Sequence, residues 1–222
     1  MNVPPRLPSL GRMNALASSA EDLAQALLQV PLPRRWAHVQ GVAARARSLA
    51  PVLGADADLL HAAARLHDIG YAPGLAATGL HALDGARYLR DVQHADAMLC
   101  RLTAHHSCAI VEAGERELAD ALGLEFEPAP HALSSVLTCC GMTTSPDGEP
   151  VPADRRLAEM HHRYGPGHLV SRSNPARHAD DPPRSRSGAR QDRPDRVAPL
   201  TEGQCLLVAD LRAPGQPLIS WP

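Results

Sequence analysis

Apolar residues recur at the three- and four-residue spacing of an α-helix along much of the chain, and prolines and glycines interrupt this pattern at short intervals. The apolar residues are mainly Ala, Leu and Val, and only 3% of all residues are aromatic. Helices packed through small side chains explain this composition better than strands do. We therefore predict an all-α fold. The pattern is clearest between residues 34 and 50, at Trp36, Val39, Val42, Ala43, Ala46, Leu49 and Ala50.

Breaks in the apolar pattern divide the chain into several predicted helices. Ser18 and Glu21 form a capping-box signature, so we expect a helix to begin at Ser18 and to end before Pro31. Asp56 or Asp58 would cap a later helix, which Gly70 would end. The same reasoning predicts helices that begin at His81 and that cover residues 95–106, 115–122, 131–141 and 153–164.

The 222 residues suffice for one sizeable domain with additional segments, or for two small domains. We predict a flexible leader at residues 1–17, a helical domain at residues 18–165 and an irregular tail at residues 166–222. The tail is rich in Pro, Arg and Ser and shows no apolar period, so it cannot bury enough surface to offset its ordering entropy. Because the composition changes abruptly there, we hypothesise a frameshift near Val170.

Charge and cysteine content restrict the classes of partner and compartment. A formal net charge of −2 predicts no general attraction to nucleic acid or to an anionic membrane. The five cysteines are odd in number and form no C-x-x-C pair, which favours buried thiols in a reducing cytosol. No apolar run approaches the roughly 18 residues of a membrane span. We expect a cytoplasmic protein without nucleic-acid or membrane partners, and the oligomeric state stays open.

Several histidines and one aspartate fall at the ends or inward faces of the predicted helices, whereas His61 and His94 are predicted to face solvent. Any one of these histidines would more often be an ordinary core or surface residue. Together they could aim several imidazole groups at one point, and imidazole nitrogen with carboxylate oxygen suits iron, manganese, zinc or similar ions. Two such ions can activate water and bind phosphoryl oxygens. The candidate ligands are His38, His67, Asp68, His81, His105 and His106.

Four ordered motifs resemble the HD-domain superfamily of metal-dependent phosphohydrolases, particularly its bacterial HDIG-type members. The resemblance covers about residues 34 to 165 and implies that the predicted helices form an HD-domain bundle. The motifs are His38, the segment HDIG at residues 67–70, the segment HALDGA that begins at His81, and the pair His105 and His106.

The resemblance also implies roles for individual residues. His38, His67 and Asp68 would bind a first metal ion, with Asp68 bridging to a second. Histidines 81, 105 and 106 would complete that second site, and His67 and Asp68 would be the catalytic residues. The implied cofactor is a divalent metal, one or two ions of iron, manganese, zinc or magnesium.

Two positions depart from the pattern of the family. Gly141 stands where the family has its last metal ligand, an aspartate, and Cys140 and Asp147 are the nearest residues that could replace it. Tyr71 stands where many relatives carry a lysine that would help to hold a phosphate. The candidate replacements for that lysine are Arg34, Arg35, Arg65 and Arg101.

These expectations support two functional hypotheses. The first is a hydrolase that uses metal-activated hydroxide on a nucleotide or other small phosphate ester. The second is a catalytically degenerate HD domain that binds a nucleotide or a partner without turnover, because Gly141 removes a ligand. A purely structural helical domain is a third reading, which the ordered motifs disfavour.

Overall fold

The computed structural model describes Pro5, Leu7 and residues 13–165, and within this part of the chain the predicted all-α fold is confirmed. An isolated β-bridge joins Thr144 to Pro150, and short 3-10 helices cover Gly54–Asp56, Ile69–Tyr71 and His106–Cys108. The α-helices are α1 (Met13–Leu28), α2 (Pro33–Ser48), α3 (Ala50–Leu53), α4 (Ala57–Leu66), α5 (His81–Asp91), α6 (Ala97–Ala104), α7 (Ala109–Glu115), α8 (Ala119–Glu125), α9 (His131–Met142) and α10 (Ala153–Tyr164).

Helix α4 lies at the centre of the bundle, where it packs against α1, α2, α6 and α9. Its Leu60, its three consecutive alanines at residues 62–64 and Leu66 are fully buried. The small alanine side chains let the neighbouring helices approach on several sides. Because α4 is surrounded, the residues that directly follow it also lie inside the molecule.

The burial of α4 also corrects the prediction that His61 faces solvent. His61 lies on this helix and only 5% of the residue is exposed. The other histidine predicted to face solvent, His94, is exposed. The apolar pattern did not distinguish the two, because it does not show how many sides of a helix are covered.

Several predicted helix boundaries are wrong, including those of α6, which covers Ala97–Ala104 and not residues 95–106. Helix α1 begins at Met13, so Ser18 lies inside the helix and not at its start. Helix α4 ends at Leu66 and not at Gly70, and the side chain of Asp56 at its N-cap makes no capping hydrogen bond. The single helix predicted over residues 115–122 is interrupted between α7 and α8.

The interruption after α7 has a local cause. Glu117 adopts the left-handed backbone conformation, with φ of 60°, and the amide of Leu118 donates to the carbonyl of Ala113 over 2.8 Å. Glycine usually takes this position at a helix end. Because residue 117 is Glu and not Gly, the break could not be predicted from the sequence. By contrast, α10 has the predicted bounds, and α9 ends one residue beyond the predicted Gly141.

None of the helices in the described ranges combines the length and the apolar character that crossing a membrane requires. Residues 166–222, with the predicted irregular tail and the hypothesised frameshift, lie outside the described part of the chain. Residues 13–17 of the predicted leader belong to α1.

Candidate metal centre

Five of the six predicted ligands meet at one point inside the bundle. His38 comes from α2, His67 and Asp68 directly follow α4, His81 is the first residue of α5, and His106 follows α6. Only 2–5% of each residue is exposed, except for His81, whose side chain is 12% exposed. The motifs are far apart in the sequence, and the packing of α2, α5 and α6 around the end of α4 brings them together.

Asp68 lies at the centre of this group, and each of its carboxylate oxygens faces two histidines. Oδ2 lies 3.4 Å from Nε2 of His67 and 4.0 Å from Nε2 of His38. Oδ1 lies 3.5 Å from Nε2 of His81 and 3.7 Å from Nε2 of His106. The ligand atoms therefore form two sets of three that share Asp68, and within each set they lie within 4.8 Å of one another.

Backbone carbonyl groups fix the orientation of three of these imidazole rings. Nδ1 of His38 lies 2.9 Å from the carbonyl oxygen of Ser145, and Nδ1 of His67 lies 2.9 Å from that of Ala64. Nδ1 of His106 lies 2.6 Å from the carbonyl oxygen of Thr103. A carbonyl oxygen only accepts, so each Nδ1 carries the proton in the neutral ring and Nε2 presents a lone pair.

The three lone pairs point at a carboxylate, which is also an acceptor. Without a cation, such a buried arrangement of acceptors would be unfavourable. His81 adds to the imbalance, since its Nδ1 is buried without a hydrogen-bond partner and its Nε2 lies 3.1 Å from Nε2 of His106. The donor set thus fits a divalent cation, which would accept these lone pairs and balance the charge of Asp68.

Burial and neighbouring charges set the protonation states of the group. Burial lowers the pKa of His67 to about 3, and it also lowers the pKa of His38 and of His81. Burial opposes ionisation of Asp68, but the charge of Arg35 holds the pKa of that carboxyl well below its ordinary value. The resulting neutral imidazoles and ionised carboxylate are the forms that bind metal ions.

Two close approaches of the backbone place the ligands. A Cβ atom on Gly70 would lie 1.9 Å from the carbonyl oxygen of His81, so only glycine lets the turn after Asp68 contact the start of α5. A Cβ atom on Gly41 of α2 would lie 2.2 Å from the carbonyl oxygen of Gly148. This second contact seats the loop before α10 on α2, where Ser145 binds the ring of His38.

Arg35 also belongs to the site. Its Nη1 donates to Oδ2 of Asp68 over 2.7 Å, and its guanidinium lies 4.0 Å from the centre of the Tyr71 ring. That ring stacks on the imidazole of His81, with centroids 4.0 Å apart. Tyr71 supplies no positive charge, but it holds a cationic side chain beside the metal ligands. The other three arginines suggested by the sequence pair with different carboxylates: Arg34 with Asp147, Arg65 with Glu21 and Arg101 with Glu127.

His105 was predicted to be a metal ligand, but it lies outside the converging group. Its Nε2 lies 2.7 Å from the carbonyl oxygen of Phe126, and its ring joins neither set of ligand atoms. His105 follows the last residue of α6, and side chains of successive residues near a helix end point in different directions. Only His106 of the pair turns towards Asp68.

Gly141 lies beside the site and lines the same cavity as Asp68. A Cβ atom at this position would have only Oγ of Ser107 nearby, at 3.9 Å. Neither suggested replacement reaches the ligands. Asp147 is exposed and pairs with Arg34 at 2.8 Å, and Cys140 is buried and does not line the cavity.

A cavity of about 160 Å³ opens onto the ligand group. Four arginines line it, together with the acidic residues Asp68 and Glu112. Two of these four arginines were not predicted from the sequence. Arg156 and Arg163 lie on α10, which the sequence marks only as a polar helix, and no motif links that helix to the histidines. The lining arginines are Arg34, Arg35, Arg156 and Arg163.

Residues 35–135 match the family model described as HD domain. The matched segment carries all five converging residues but includes neither Gly141 nor α10. No match was found among curated proteins or among solved structures.

Proposed function

We propose that this chain, through the HD domain at residues 35–135, is a metal-dependent phosphohydrolase that acts on a nucleotide or other small phosphate ester. The observation that carries the proposal is the convergence of imidazole lone pairs on the buried carboxylate of Asp68. We further assign the chain to the bacterial HDIG-type members, with Gly141 in place of their last aspartate ligand.

The residues around Asp68 offer two places for a divalent cation. His81, His106 and Oδ1 of Asp68 form one set, and His38, His67 and Oδ2 form the other. When bound, such a cation would lower the pKa of a water molecule and neutralise charge on phosphoryl oxygens. The carbonyl contacts at Nδ1 hold the imidazoles in the tautomer that this binding requires.

The cavity favours an anionic substrate with a small reacting group. Its lining carries four arginines against two acidic residues, which favours the negative charge of a phosphate ester. Its volume is below the 300 Å³ or so that is usual for sites enclosing a drug-sized ligand. A phosphoryl group would enter the cavity, while the rest of a larger ester would lie outside it.

A specific observation supports the alternative, a degenerate HD domain that binds a phosphate ester without turnover. The ligand set of His38, His67 and Oδ2 of Asp68 contains no second carboxylate. Gly141 has no side chain that could supply one. Arg35 already places positive charge beside this ligand set, at 2.7 Å from Oδ2. Loss of one cation there would leave the carboxylate paired with Arg35.

Metal content and phosphomonoesterase activity together distinguish the two functions. We expect the wild-type protein with added manganese to retain the metal and to hydrolyse p-nitrophenyl phosphate. Asp68→Ala should abolish both properties, and His94→Ala, which changes an exposed histidine, should abolish neither. Absence of retained metal in the folded wild-type protein would contradict the site assignment.

Gly141→Asp tests the degenerate alternative directly, because the backbone leaves room for a side chain at this position. If the wild-type protein binds metal without turnover and this variant gains activity, the degenerate function is the correct one. Equal activity of the two proteins would show that the missing carboxylate is not needed.

We place this activity in the cytoplasm. The support is the chemistry of Cys100, which is buried and is a free thiol within the described residues. Buried free thiols are typical of a reducing compartment.

A further inference from the structure

The cavity contains a largely buried arginine that the proposed metal chemistry does not use. Arg156 lies on α10, beyond the segment that matches the HD family, and lines the cavity beside His38 and Asp68. Its side chain is only 11% exposed. Nη1 pairs with Glu159, but the buried Nε has no hydrogen-bond partner. A buried donor without a partner is unfavourable unless a ligand or water accepts from it.

The charges around Arg156 favour an anion as this ligand. Glu159 is shared between Arg156 and Arg163, so these three side chains carry a net positive charge. Arg35 lines the same cavity, and its own carboxylate partner is Asp68. Burial lowers the pKa of Arg156, and the charges of Arg163 and Arg35 lower it further. An anion between these guanidinium groups would relieve their repulsion.

We propose that Arg156 and Arg35 form a subsite for the terminal phosphate of a phosphomonoester, next to the metal ligands. A guanidinium group presents two parallel donors to a phosphate, a geometry that a single ammonium group cannot offer. Arg35 already lies 2.7 Å from Asp68, so a phosphate held by the two arginines would contact the ligand group. This inference rests on the proposed function for the identity of the anion as a phosphate.

The subsite favours a monoester over a diester. A terminal phosphate carries up to two negative charges and three unsubstituted oxygens, whereas a diester carries one charge and two such oxygens. The small cavity also admits one phosphoryl group more readily than a phosphate substituted on both sides. If Arg156 binds the substrate, then Arg156→Gln should raise the KM for a monoester more than it lowers kcat.

The test is calorimetric titration of inorganic phosphate into the full-length protein, with manganese and separately with a chelator. Arg155→Gln is the matched control, because Arg155 is the exposed neighbour of Arg156 on the same helix. We expect wild type and Arg155→Gln to bind phosphate with the same affinity, and Arg156→Gln to bind about tenfold more weakly or worse. Arg156→Lys, which keeps the charge but not the paired donors, should fall between them.

Equal phosphate affinity of Arg156→Gln and Arg155→Gln would overturn the subsite, as would an absence of phosphate binding by the wild-type protein in both conditions. Circular dichroism of each variant checks that the helical fold is retained. Metal analysis of the same samples separates the two proposals. If the protein retains manganese but Arg156→Gln does not weaken phosphate binding, the subsite alone is refuted. If Arg156→Gln weakens phosphate binding but the protein retains no manganese, the metal centre alone is refuted.

Discussion

At the scale of single residues, the site depends on which nitrogen of each histidine is free. His38, His67 and His106 each have Nδ1 bonded to a backbone carbonyl group, and this contact leaves Nε2 for Asp68. His105 follows the opposite pattern, because its Nε2 is bonded to the carbonyl oxygen of Phe126. Two adjacent histidines with the same chemistry therefore differ in their contacts, and only His106 presents Nε2 to Asp68.

This difference predicts unequal effects of removing the two imidazoles. His106→Ala deletes a group that faces Asp68, so we expect manganese affinity to fall by at least about tenfold. His105→Ala deletes a hydrogen bond to Phe126 and should cost about 1 kcal/mol of folding stability with little change in manganese affinity. Isothermal titration of manganese measures the first effect and urea denaturation the second. Equal loss of affinity in both variants would show that the assigned ligand set is wrong.

The residues of the site could be predicted from the sequence as far as motif spacing determines them. Five of the six proposed ligands converge, because each motif lies at a helix end or on an inward face. The sequence could not tell His105 from His106, since the choice depends on how the chain turns after α6. Nor could it place Arg35 against Asp68 or Arg156 beside the cavity, because both contacts form between distant segments.

At the scale of helices and turns, one close contact places His81 beside Asp68. The turn that contains Gly70 lies directly against the backbone at the start of α5, and Gly85 of the same helix adjoins it. Sequence reasoning gave Gly70 the role of ending α4, but the helix ends earlier, at Leu66. The need for glycine comes from packing between two elements, which helix-ending rules do not describe.

Gly70→Ala should disrupt this contact. The added methyl group would overlap the carbonyl oxygen of His81, and either the turn or α5 would have to move. We expect a loss of roughly 1–3 kcal/mol of folding stability, together with weaker manganese binding, because His81 moves with the helix. Thermal denaturation and manganese titration measure the two effects.

Gly123→Ala provides the matched control, since a Cβ atom at this position in α8 would contact nothing within 4 Å. This variant should be as stable as wild type or more stable by up to about 1 kcal/mol. A Gly70→Ala protein as stable as Gly123→Ala, with unchanged manganese affinity, would contradict the role given to the contact.

At the scale of the whole molecule, a neutral histidine in the core links stability to pH. Burial lowers the pKa of His61 in the folded protein, whereas in the unfolded chain this group titrates near its ordinary value of about 6.5. Below that pH the unfolded chain takes up a proton that the folded chain does not. The free energy of unfolding must therefore decrease as the pH falls below about 6.5.

His61→Gln should weaken this dependence on pH. The expected difference in slope is at most about 1.4 kcal/mol per pH unit, the value for one proton. Urea denaturation between pH 7.5 and pH 5, with a chelator present to exclude effects of bound metal, provides the comparison. His94→Ala is the control, because its exposed side chain should not alter the slope. An unchanged slope in His61→Gln would show that His61 becomes protonated in the folded state.

The proposed function depends on a divalent cation bound at Asp68. The most direct measurement is an anomalous difference map from a crystal grown with manganese, recorded on both sides of the manganese absorption edge. We predict a peak about 2.2 Å from Oδ1 of Asp68 and from Nε2 of His81 and His106. The metal centre would be contradicted if the map at saturating manganese showed these side chains well ordered and in place, with no anomalous peak among them.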